Sequence, residues 1–169
     1  GMRGRWFRVF TPTADYTALT QSVTPPGPAN FTHNPTNVNE TLRGASNAYL
    51  NANIVRDHAL KYNPTFPTIG TQAEFRVNVQ VAGTCNAYYD GGSINFFPAG
   101  GGCPNTAYGD VVHHEYGHHL VNVAGSGQGQ YGEGYGDLMG VTISDDPILG
   151  YGFTGDCGGG IRTAQNTIQ

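Results

Sequence analysis

The sequence predicts an α+β lobe in which a mixed or antiparallel sheet packs on two helices that carry metal-ligand residues. Three patterns predict it. Phe75, Val77, Val79 and Val81 alternate with polar residues, as a half-buried strand does. Apolar and small residues recur at helical spacing between Thr36 and Asn63. His114-Glu115-Tyr116-Gly117-His118 places two imidazoles one helical turn apart, and an acidic residue, Glu133, follows on a second helical segment.

In chain order, Arg5 to Phe10 alternates enough for an N-terminal strand, and Thr11 to Pro35 is a Pro, Thr and Asn-rich connector without periodicity. Residues 1–35 are therefore set apart from a single lobe over 36–169. The first helix is expected to begin near Thr36 and to bury Val38, Leu42, Ala45, Tyr49, Ala52 and Val55 or Arg56, and Asn63-Pro64 ends it. The 75–81 strand is followed by a strand pair, Asn86 to Gly91 and Ile94 to Phe97, and a loop from Gly100 to Pro104. The pentad helix, a loop from Gly125 to Gln130 and the helix bearing Glu133 complete the lobe.

The pentad carries chemistry because each helical residue turns the side-chain direction by about 100°, so His114 and His118 share a face and are aimed without any loop ordering. Both can ligate one Zn²⁺ while Glu115 stands beside the water that the metal activates. Val111, Val112, Leu120 and Val121 mark the helix as buried, and Gly117, a poor helix former by about 1 kcal/mol, marks a close approach to a neighbour. An ordinary amphipathic helix that happens to carry histidines would need no third ligand. Here Glu133 supplies one, and Asp137, one turn later, can accept the free ring N–H of a ligating histidine, His114. The alternative third ligand of the metzincin pattern is excluded, because Val121 and Ala124 stand where that pattern needs Gly and His. His113 and His119 point about 100° and 140° away from His114 and read as packing residues, and neither His33 nor His58 is given a catalytic role.

Taken with their neighbours, these residues resemble the gluzincins, zinc endopeptidases of the thermolysin and fungalysin type. Asn86-Ala87-Tyr88-Tyr89-Asp90-Gly91 and Ile94 to Phe97 are similar to the family's edge strand and the strand after it, and Asp110-Val111-Val112 matches its approach to the active-site helix. Gly132-Glu133-Gly134-Tyr135-Gly136-Asp137 resembles the third-ligand helix, and Gly155 to Arg162 the segment whose Arg meets a substrate carbonyl. The resemblance runs from about residue 36 to 163. It implies a zincin-like lobe, one catalytic Zn²⁺ on His114, His118 and Glu133, Glu115 as general base, and Asn86, Ala87 and Arg162 as contacts to an extended peptide. The family also places a His, usually with a Tyr, to stabilise the oxyanion, and takes that His from a helical subdomain beyond the third ligand. No histidine follows His119, and neither Tyr131 nor Tyr135 matches the family's Tyr. A chain truncated before that subdomain is the expectation, with a missing lobe or second chain as partner. Losing one such donor costs a factor of about 10²–10³ in rate, so the alternative is a catalytically incomplete zinc-binding lobe that acts as a peptide-binding or interaction module.

Composition narrows the remaining choices. The 169 residues hold 26 glycines and 8 Lys plus Arg against 12 Asp plus Glu, for a formal charge of -4, which leaves no basic patch for nucleic acid. No apolar run approaches the roughly eighteen residues of a membrane span. Gly1-Met2 reads as the remnant of a cleaved tag and no signal-peptide pattern follows, so any export signal is expected to lie outside these residues. Cys85 and Cys103 bracket the strand pair, either as a disulfide, which suits a secreted, periplasmic or extracellular protein, or as two reduced buried thiols, and Cys157 is left over. Asp110, Asp145 and Asp146 are the carboxylates that a calcium ion would use, with surface solvation as the plainer reading.

Overall fold

The computed structural model describes residues 2–12, 19–155 and 158–165, so Cys157 lies outside the described residues. Strand β1 (Phe7–Phe10) is followed by helix α1 (Glu40–Tyr62), strands β2 (Phe75–Asn78), β3 (Ala87–Tyr89) and β4 (Ser93–Phe96), helices α2 (Gly109–Val123) and α3 (Gly129–Ser144), and a short pair, β5 (Ile148–Leu149) and β6 (Arg162–Thr163). The expected α+β class with a mixed sheet is what forms. The first four strands are ordered β1-β2-β4-β3, the first two pairings parallel and β3–β4 antiparallel, which leaves β3 at an edge.

Helix α1 starts four residues later than its periodicity suggests. Asn34 and Asn37 hold left-handed backbone (φ 48° and 55°), and the Asn39 side chain accepts the Leu42 N–H at 2.9 Å as N-cap. Its C-terminal end is where the Asn63-Pro64 signal puts it, with Asn63 as C-cap. Ala45, Ala48, Ala52 and Val55 are buried against the sheet. Arg56 is also buried, because its guanidinium lies 3.6 Å from the centre of the Trp6 ring and donates to the carbonyls of Ile69 and Gly70. Strand β2 is shorter than the 75–81 alternation. Gln80 takes a left-handed φ of 60° and breaks the ladder, although the N–H groups of Val79 and Val81 still donate to Phe10 and Phe96.

The core lies between the sheet and the two long helices. Phe7, Val9, Val77, Ile94 and Phe96 point inward from alternate strand positions and meet Val112, Tyr116 and Leu120 of α2. Cys85 and Cys103 form a disulfide, with Cα atoms 5.2 Å apart, that ties the approach to β3 to the turn at Gly100–Cys103. The β5–β6 pair had no signal in the sequence. It pairs Leu149 with Arg162, and the Gly150 N–H donates to Asp110 Oδ2 at 2.6 Å, which fastens this pair to the first turn of α2.

The three carboxylates that calcium would use, read more plainly as solvated surface groups, are taken up by backbone turns. Asp110 accepts from the backbone N–H groups of Val111 and Gly150, Asp146 accepts from the Ile148 N–H at 2.9 Å, and Asp145 is the left-handed C-cap of α3. Among the described residues these three carboxylates do not form a group that gathers three ligand atoms.

Helices α2 and α3 meet backbone to backbone. A Cβ added at Gly117 would stand 2.7 Å from the Gly136 Cα, closer than side chains pack. Gly117→Ala therefore improves intrinsic helix propensity and still destabilises. Overpacking of this kind costs about 1–3 kcal/mol, or roughly 2–4 °C in Tm per kcal/mol for a chain of this size, and a thermal melt that rises on substitution would contradict the packing.

Candidate metal centre

Helix α2 is buried almost all round, with His113, His114, Glu115 and His119 each under a tenth exposed. The two histidines outside the pentad face are packing groups, as expected. His119 lies with its ring centre 4.3 Å from that of Phe75, and its Nδ1 is 3.1 Å from the Tyr89 hydroxyl. Burial pushes both His113 and His119 down to about 4, so both are neutral near pH 7.

On the opposite face, His114 Nε2 and His118 Nε2 are 3.1 Å apart. Glu133, brought in by the second turn of α3, lies with Oε2 3.4 Å from His114 Nε2 and Oε1 3.4 Å from His118 Nε2. One ligand atom from each of these three residues lies within 4.8 Å of the other two. The outer nitrogens have partners of their own. His114 Nδ1 is 2.8 Å from Asp137 Oδ1, and His118 Nδ1 is 2.9 Å from Gln128 Oε1. Facing an acceptor, each Nδ1 carries its proton, so both Nε2 lone pairs converge with a carboxylate on one point. Two imidazole lone pairs and a carboxylate so close together repel unless a cation lies between them. The donor set fits a metal ion on this ground alone, and the nitrogens favour zinc and its transition-metal neighbours over magnesium or calcium.

Asp137 also receives Arg162, whose guanidinium reaches it at 2.7 and 2.8 Å and stands 3.7 Å from Glu133. Burial works to raise the Asp137 carboxyl, but the His114 and Arg162 contacts outweigh it and hold the group below its usual range. Glu115 points beside the three ligands and is 6% exposed. Burial pushes its carboxyl up to about 7, with Glu133 adding to the rise and His114, Arg162 and the Tyr89 backbone N–H opposing it.

The cleft above these residues has a volume of about 510 Å³. Asn86, Ala87, Tyr88 and Tyr89 of the β3 edge form one wall, and Arg162 with Leu149, Phe153 and Ile161 closes another. Every residue that the sequence reading assigned to metal, base, substrate contact or outer support thus borders this one site or touches a group that does. Among the contributors without such an assignment are Gln128, from the loop expected between the two helices, and Leu149, Phe153 and Ile161, which the segment after α3 brings back to α2.

The same fold is found in a solved structure, the precursor of protealysin, a metalloproteinase from Serratia proteamaculans. The two superpose with a TM-score of 0.61 at 18% sequence identity, over 89% of this chain and 50% of the precursor. The fold is metalloproteinase-like. At that identity the likeness concerns the fold alone, and this chain spans about half the length of the precursor. No protein-family model matches the sequence, and no curated protein matches it.

If these contacts hold a metal, Asp137→Ala should weaken its binding about 10–100-fold, the usual cost of removing a partner of a ligating histidine, while Glu133→Ala should abolish stoichiometric binding. Competition against a chromophoric chelator measures both. Wild-type affinity in Glu133→Ala would remove Glu133 from the site.

Proposed function

We propose that this protein is a zinc-dependent endopeptidase that works outside the cytoplasm and cleaves extended peptide segments. The observation that carries the reading is the triangle of ligand atoms with Glu115 beside it. The two Nε2 atoms stand 3.1 Å apart, near the roughly 3.3 Å that separates ligands at about 2.0–2.1 Å around a tetrahedral zinc, and each has a Glu133 oxygen 3.4 Å away, Oε2 for His114 and Oε1 for His118. Three protein ligands leave a fourth position open toward the cleft, as catalytic zinc sites do, whereas structural sites are closed by four.

A zinc ion held there supplies a water of pKa about 7 and polarises a carbonyl oxygen. The protein's own groups do the rest. Glu115 is buried on the cleft side of α2, where it can take a proton from the attacking water and pass it to the leaving amine. Asp137 and Gln128 fix the ring orientations of His114 and His118. Strand β3 is an edge strand and its segment lines the cleft, so a substrate can join it as an added strand, held at Asn86 and Ala87. Arg162 keeps N–H groups beyond those bonded to Asp137 with which to meet a substrate carbonyl. The Cys85–Cys103 disulfide supports an oxidising, extracellular setting, and no described helix is long and apolar enough to cross a membrane.

One observation favours a second reading, a zinc-binding lobe that holds peptide or a second chain without turnover. Tyr62 and Leu138, 71% and 50% exposed on α1 and α3, line a groove of about 300 Å³ together with Tyr135, on which the 60% exposed Tyr131 stacks. An apolar stripe of this kind marks a surface that another chain covers.

Glu115→Gln separates the two. It should leave zinc bound and remove hydrolysis of an unstructured protein substrate, and activity retained in that variant would sink the peptidase reading. In the wild type the base must be ionised, so activity falls as pH drops through its pKa. Burial sets that pKa near 7 without the metal and the cation beside it lowers it, so the acid limb of kcat/KM should lie at or below pH 7. An acid limb well above 7 would assign the proton transfer to another group.

A further inference from the structure

We propose that Gln128 is a positioning residue for the metal: it locks His118 in the tautomer and ring orientation that present Nε2 to the ion, and Gly132 exists as glycine to let it do so. The inference rests on the metal-binding reading and adds a residue to it.

The hydrogen bonds leave little freedom in the assignment. Gln128 Nε2 donates to the His118 backbone carbonyl at 3.0 Å, and a carbonyl can only accept. The amide is thereby oriented, and its oxygen faces His118 Nδ1 at 2.9 Å. An amide oxygen can only accept, so Nδ1 holds the proton and Nε2 keeps the lone pair. One side chain thus grips both the backbone and the ring of the same histidine. His114 has a carboxylate, Asp137, in the corresponding place; His118 has a neutral amide, so the pair of ligands is supported with one added negative charge rather than two.

Local structure is set aside to achieve this. Gln128 is the N-cap residue of α3, yet its side chain makes no cap hydrogen bond, and Gln is not among the residues that cap well. The chain reverses after α2 through Gly125 in left-handed backbone (φ 76°), which carries Gln128 back over the last turns of that helix. A Cβ at Gly132 would lie 2.5 Å from Gln128 Oε1 and 3.1 Å from His118 Nδ1. Only glycine leaves the channel through which the amide reaches the ring.

The test uses the full chain and three variants. Gln128→Ala removes both bonds, Gln128→Ser also removes them while supplying a better helix cap, and Gln128→Glu keeps an acceptor for Nδ1. Three readouts are taken: zinc affinity by chelator competition, the melting temperature of the metal-free protein, and the ¹⁵N shifts of the His118 ring in the metal-free protein at pH 8. Positioning requires zinc binding about 10–100-fold weaker in Gln128→Ala and Gln128→Ser, with the melting temperature of Gln128→Ser equal to or above wild type and binding largely restored in Gln128→Glu. It also requires a protonated Nδ1 in wild type that becomes a tautomer mixture in Gln128→Ala. Zinc affinity within twofold of wild type in Gln128→Ala and Gln128→Ser, or an unchanged His118 tautomer, would overturn it. Should wild type itself bind no zinc, the peptidase reading fails while the ring shifts still decide whether Gln128 sets the tautomer.

Discussion

The site depends on how closely α2 and α3 approach. The two liganding histidines are on one helix and the third ligand on the other, so the spacing between helix axes fixes the size of the triangle. Gly117 against Gly136 allows the backbones to touch, and Gly136 leaves room for the His114 ring, whose Nδ1 would stand 2.7 Å from a Cβ there. A side chain at either place separates the helices or turns the ring. Gly140, one more turn along α3, meets Leu149 and the Asp110 carbonyl in the same way, so the seam continues to the β5 turn that closes the cleft. Glycine costs each helix about 1 kcal/mol per position in propensity, and the return is a close helix pair that brings ligand atoms from both helices to one point.

Burial then sets the electrostatics. The same packing that brings His113 and His119 into the core forces them to be neutral, while His114 and His118 line the cleft. Glu115 is raised by the low-dielectric environment to a value useful for moving protons near neutral pH, and Asp137 on the neighbouring helix is held below its usual range by His114 and Arg162. Two carboxyl groups in one site are pushed in opposite directions, one to exchange a proton and one to hold a ring. Environment rather than residue type separates the two roles.

Much of this was legible in the sequence because helical spacing is rigid. His114, Glu115 and His118 follow from a four-residue step, and Asp137 follows from Glu133 by the same step, so both half-sites are local patterns. The edge strand at Asn86 to Tyr89 and the disulfide across it were legible for a similar reason, a short antiparallel pair closed by nearby cysteines. The start of α1 was not, because periodicity continues through Val38 while the left-handed Asn34 and Asn37 and the Asn39 cap decide where helix begins. The carboxylates that calcium would use lie on separate segments, and turns take them instead. Asp145 and Asp146 are used by the turn that follows α3, and Asp110 by the turn at Gly150.

What the sequence hid are contacts made across a chain reversal. Gln128 is ten residues from His118, a distance at which no period relates them, and only the turn at Gly125 brings them together. The β5–β6 pair is the same case on a larger scale: two strands of two residues each, too short to show alternation, yet they seat Arg162 against Asp137 and hold Leu149 and Ile161 at the end of the cleft. Both devices act on the ligands from outside and neither belongs to the helical pattern that announces the metal. A motif of this kind therefore gives the atoms that meet the ion, while the atoms that hold those atoms still are supplied by whatever loop returns to the helix, and they are found only once the fold is known.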